Sequence, residues 1–117
     1  MPWTKLASLL MFLAVALGAF GSHALRGKLS EYSLDVYKTA VMYHFIHALG
    51  LFVVAWLCTQ TPNPKANLAG IFMLIGIILF SGSLYLLSVT GQKWLGAITP
   101  LGGVSFLAAW ILLFIAK

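Results

Sequence analysis

Acidic side chains are almost missing from this chain. Glu31 and Asp35 are the only two in 117 residues, and 8% of all residues are charged. A soluble domain carries about 25%, so most of the surface cannot be one that faces water. Both acids fall in the polar stretch 26–36, and none falls in an apolar run. Transport driven by an intramembrane carboxylate therefore has no residue to run on, and neither has a carboxylate-bridged metal centre. Cysteine is as scarce. Cys58 stands alone, which excludes an internal disulfide and a thiolate cluster within one chain. No metal and no cofactor is expected. Basic residues are few and scattered singly, at Lys5, Arg26, Lys28, Lys38, Lys65, Lys93 and Lys117. They form no stripe, so no nucleic-acid partner is expected. Beside apolar runs they read as membrane-interface anchors.

Apolar residues are abundant, at 62%. They gather into four runs, 6–25, 37–58, 68–89 and 96–116. About 20 residues at about 1.5 Å each cover one hydrocarbon thickness. Alternation is lacking, so the runs are helices and not barrel strands. The predicted fold is all-α, a single integral membrane four-helix bundle over 1–117, multi-pass and up-down-up-down. An even number of spans puts both termini on one side. Lys5, Lys65 and Lys117 then share one side. Arg26, Lys28 and Lys93 share the other, with Lys38 at its margin, so the positive-inside count favours neither orientation. The first run also has the outline of a secretory signal, but it is long for one and three further spans follow it.

The connections are short. In 26–36, Ser30 or Ser33 can cap an interfacial helix or turn that leads into the second span. Pro62 and Pro64 make 60–67 a tight turn, and 90–94 is another. Thr99 reads as an N-cap and Pro100 as the first helical position. The last helix then starts there, with 96–98 an extended or re-entrant entry. Small residues suit close helix packing at Ala14, Gly18 and Ser22, spaced by four, and at Gly82, Gly102 and Gly103.

The second run, YKTAVMYHFIHALGLFVVAWLC, organises the rest. It places His44 and His47 inside hydrocarbon, where polar side chains are costly and usually paired. Their i,i+3 spacing sets them about 60° apart on one face. The third run carries Ser81, Ser83 and Tyr85, and His23 ends the first. A candidate ligand or proton site therefore draws on His23, His44, His47, Ser81, Ser83 and Tyr85, since neutral imidazole suits proton exchange. The competing reading is interhelical hydrogen bonding, worth about 0.6 kcal/mol on average in a bilayer. His47 is expected to point inward and pair near Ser81–Tyr85 or with His23. His44, nearer the start of its span, is expected to reach interface water.

Four segments carry a resemblance: GAFGSHAL (18–25), TAVMYHFIHALGL (39–51), LFSGSLYLL (79–87) and ITPLGG (98–103). With them the chain resembles the domain-of-unknown-function 423 family of small membrane proteins. The resemblance implies four spanning helices, a bacterial inner (plasma) membrane, and no established biochemical activity. No serine–histidine–acid constellation is discernible, so no catalytic residue is assigned and an enzyme is not expected. Two functions remain in view. One is a structural or accessory role, packing with membrane lipid, with itself as a homo-oligomer or with a partner membrane protein. The other is binding or transport of a small molecule, ion or proton in a His/Ser/Tyr pocket between helices.

Overall fold

The computed structural model describes residues 2–116, apart from the side chain of Ser22. The packing role expected of Ser22 therefore lies outside the described residues. The first span runs Trp3–Leu25, as α1 (Trp3–Ala16), a π-helical turn (Leu17–Gly21) and α2 (Ser22–Leu25). The second is one helix, α3 (Glu31–Gln60). The third joins α4 (Pro64–Gly76), a second π-helical turn (Ile77–Ser81) and α5 (Gly82–Thr90). A 3-10 turn (Lys93–Ala97) leads into α6 (Thr99–Ile115), the fourth span. All four are long and apolar enough to cross a membrane, and no strand occurs among the described residues.

Several boundaries differ from the sequence reading. The stretch 26–36 is a turn only over 26–30, where Lys28 and Leu29 donate to the Leu25 carbonyl at 3.0 and 3.2 Å, and from Glu31 on it already belongs to α3. Ser30 caps α3, its hydroxyl accepting from the Ser33 N–H at 3.1 Å, and neither glycine nor proline interrupts residues 31–36. At 30 residues, α3 is about 45 Å long and outreaches the hydrocarbon. Its first turns, with Glu31 and Asp35, therefore extend into the interface. The following connection is shorter than 60–67. Asn63 caps α4 by accepting from the Ala66 N–H at 3.1 Å, and Pro64 takes the first turn, where its missing N–H leaves no bond unmade. Gly91 ends α5 in the left-handed region (φ 73°), its N–H bonded to the Leu87 carbonyl at 2.8 Å.

The last helix does begin at Thr99–Pro100. Thr99 is not its cap, however. Ile98 flanks the helix instead, and the Thr99 hydroxyl contacts Ser83 Oγ at 2.6 Å. Nor are residues 96–98 extended. Leu95 and Ile98 donate to the carbonyls of Gln92 and Leu95, both at 3.1 Å, and the buried Leu95 side chain pins this tight turn against the bundle.

Packing is asymmetric. The first span lies on α3, α3 lies on the third span, and α6 lies on α4 and the second π-helical turn. The result is flat, 49 × 26 × 18 Å, with the first and fourth spans as outer flanks. Trp3, Leu51, Val54, Met73, Ile77 and Phe106 are core residues. Gly102 allows the tightest approach of the outer helix. A Cβ there would lie 2.4 Å from the Phe80 backbone nitrogen. Ala14 is fully buried, and Gly18 faces Val41 closely. Gly82 and Gly103 make no comparable approach, since a Cβ on either would have its nearest neighbour at 3.9 Å. Their sequence spacing says nothing of which face is covered.

Candidate functional site

The buried face of α3 repeats every three or four residues, through Ala40, His44, His47, Leu51 and Val54. It faces three other spans, so both histidines are enclosed: His44 is 3% exposed and His47 4%.

His47 is held from two directions. The Trp110 indole N–H donates to His47 Nε2 at 3.0 Å, and His47 Nδ1 lies 2.7 Å from the Tyr43 carbonyl. An indole N–H only donates and a carbonyl only accepts. His47 is therefore neutral and carries its proton on Nδ1. Its ring stacks on Phe106, with centroids 3.5 Å apart and planes at 10°. The inward orientation is as expected, but the partner is not near Ser81–Tyr85 or His23. His47 sits almost one helical turn deeper than His44, level with the fourth span's indole. Trp110 was the missed residue. A tryptophan deep in a span must direct its N–H at some acceptor, and His47 was available.

His44 does not reach interface water. Its Nδ1 lies 2.8 Å from the Tyr85 hydroxyl, and the Tyr85 ring packs against Tyr37 at 5.4 Å. α3 continues well beyond His44 on that side, and this removes the residue from the interface. Tyr37, also missed, donates its hydroxyl to the Leu17 carbonyl in the first π-helical turn. A π turn interrupts the regular i→i−4 bonding, and the phenol supplies that carbonyl with a donor.

The serines bridge elsewhere. The Ser81 hydroxyl donates to the Ala40 carbonyl at 2.8 Å. Ser83 joins Thr99 across the third and fourth spans and also donates to the Phe80 carbonyl at 3.0 Å. Ser105, not singled out from sequence, donates to the Phe72 carbonyl at 2.6 Å. His23 lies exposed on α2 and takes no part in these contacts. The six candidate residues thus do not converge on one pocket. Five of them form separate bridges: His44–Tyr85 and Ser81–Ala40 between the second and third spans, Ser83–Thr99 between the third and fourth, and His47–Trp110 between the second and fourth. Among the described residues no three His, Cys, Asp or Glu side chains are grouped to hold a metal ion. A groove of about 610 Å³ does open laterally between the second and fourth spans. Tyr43, His47, Phe80, Phe106 and Trp110 line it.

Comparison with known proteins places this arrangement. The family model described as "Protein of unknown function (DUF423)" matches residues 17–103, a range that takes in both π-helical turns and both buried histidines. The UPF0382 membrane protein YwdK of Bacillus subtilis is 55% identical over 105 residues, 89% of this chain and 85% of that protein. The UPF0382 membrane protein SERP0230 of Staphylococcus epidermidis is 45% identical, covering 95% of this chain and 90% of that protein. SH2409 of Staphylococcus haemolyticus is 42% identical with the same coverage. These names state a membrane location and no reaction. No solved structure matches the chain. With a match over most of its length and relatives this similar, the chain belongs to the DUF423 family, and it is a small integral membrane protein.

Proposed function

We propose that this protein is an accessory component of the bacterial plasma membrane that acts through helix packing, and that it is neither an enzyme nor a carrier. The observation that carries this reading is the state of His47. Both ring nitrogens are engaged, one by Trp110 and one by the Tyr43 carbonyl. A residue that relays a proton or binds an ion needs a lone pair or N–H able to change partner, and His47 keeps neither in reserve. Ser81, Ser83 and Tyr85 are likewise engaged in bridges. The only acids lie in the first turns of α3, away from the buried histidines. The outer flanks expose Phe12, Phe20, Leu107 and Phe114, which suits contact with lipid, a second copy or a partner membrane protein.

The test is flux. Purified protein in sealed vesicles carrying an internal pH dye should show no proton flux above that of lipid alone, and His47→Gln should match the wild type. Flux that depends on His47 would overturn the reading. The groove beside His47 favours a second reading, in which a lipid-soluble molecule lies between the second and fourth spans against the half-exposed Tyr43. Stoichiometric retention of one such molecule through purification, lost in Tyr43→Phe, would favour that binding role instead.

A further inference from the structure

The first span is the least enclosed of the four. Only 12% of its most apolar window is buried, against 39% for the second and third spans. Among the described residues its polar ties are few. Trp3 Nε1–H donates to Asn67 Oδ1 at 2.9 Å near the start, and the Leu17 carbonyl accepts from Tyr37 at the π-helical turn. Midway between these ties, seven residues from each, lies Leu10. A seven-residue step returns to nearly the same helix face. The stripe is completed by Ala7 and Ala14, both fully buried.

His44 Nε2 is buried and has no hydrogen-bond partner among the described residues. The ring also interacts with the backbone of Leu10 on the first span, and with Nδ1 turned to Tyr85 it is Nε2 that is left to meet it. The other nitrogen, Nδ1, meets the Tyr85 hydroxyl. We propose that His44 docks the first span: its neutral ring is held with the proton on Nε2, donated to the Leu10 carbonyl, while Nδ1 accepts from the Tyr85 hydroxyl. A carbonyl only accepts, so the nitrogen that faces it must carry the hydrogen. The phenol can donate, so Nδ1 is the nitrogen able to go without one. The opposite tautomer would set a lone pair against the carbonyl oxygen and strand the Tyr85 hydrogen. In hydrocarbon an unmade bond of this kind is costly. One ring then links three spans, and His44 and His47 are opposite tautomers about five-sixths of a turn apart. This inference concerns attachment of the first span and holds whether or not the protein transports anything.

The test uses full-length protein in lipid vesicles with its three histidines labelled with nitrogen-15. Comparison with His44→Gln assigns the His44 signals. We expect His44 to show Nε2 protonated and Nδ1 bare, and His47 the reverse. Protonation of His44 on Nδ1 overturns the proposal. A second measurement uses spin labels on cysteines replacing the exposed Phe12 and Val53 in a Cys58→Ser background. The distance distribution should stay narrow in His44→Gln, whose amide can both donate and accept. It should broaden in His44→Leu. A narrow distribution in a folded His44→Leu variant refutes the docking role, and the tautomer measurement decides the matter if that variant does not fold.

Discussion

Trp110 and His47 stand 63 residues apart in the chain and are joined by an N–H···N bond of 3.0 Å across the second and fourth spans. The bond ties an outer helix to the central one between two apolar spans. Because the donor is an indole, it also sets the tautomer of the imidazole, which in turn bonds the Tyr43 carbonyl. The two side chains therefore act as a unit.

Double-mutant analysis of that unit should give a modest coupling. Trp110→Phe removes the donor and keeps an aromatic ring, and His47→Phe removes the acceptor and keeps the stack on Phe106. The coupling free energy from reversible unfolding in bicelles should be about 0.6 kcal/mol and no more than about 1.7 kcal/mol, the range found for hydrogen bonds between helices in bilayers. Additive effects of the two substitutions would show that the bond contributes nothing.

Gly102→Ala should part the third and fourth spans. The added methyl would lie 2.4 Å from a backbone nitrogen and 2.7 Å from Cβ of Phe80, atoms that cannot swing aside. Overpacking costs about 1–3 kcal/mol. Gly103→Ala, one residue on, meets nothing nearer than 3.9 Å and should change stability by less than about 0.5 kcal/mol. Unfolding in mixed detergent compares them directly, and equal losses would contradict this packing.

Trp3 should matter more for its ring than for its bond. The side chain is 3% exposed, and its indole fits against Gly70 so closely that a Cβ on the glycine would lie 2.7 Å away. Trp3→Phe loses the bond to Asn67 and keeps most of the volume. Trp3→Ala leaves a void as well, and Trp→Ala in buried sites costs about 3–5 kcal/mol. Asn67→Ala should resemble the milder variant. If Asn67→Ala is as damaging as Trp3→Ala, the hydrogen bond and not the ring holds the start of the first span.

Tags at residues 1 and 117 should be equally protected in sealed vesicles, because four antiparallel spans return the chain to its starting side. Opposite protection would remove one span from the membrane.

The number of spans was legible because it depends on amounts that need no contacts: the length of each apolar run, the scarcity of charge and the placement of proline. Ser30 as a cap and Pro100 as a helix start are similarly local, since a cap satisfies N–H groups two or three residues away. Continuous helix from Glu31 was less evident, because polar residues in a first turn resemble a solvated loop when hydropathy alone is read.

The rest was decided by tertiary structure. Apolar residues surround each span in sequence, so a bilayer-facing side and a protein-facing side look alike in composition. Gly82 and Gly102 could not be told apart on that basis, although one lies against a helix and the other does not. The same limit hid the partner of His47. The residues alone dictate that an imidazole and an indole within apolar spans each need a partner. Only the register in which α3 meets α6 determines that they satisfy each other, and only the register in which α3 meets α5 that His44, less than one turn away, turns toward Tyr85.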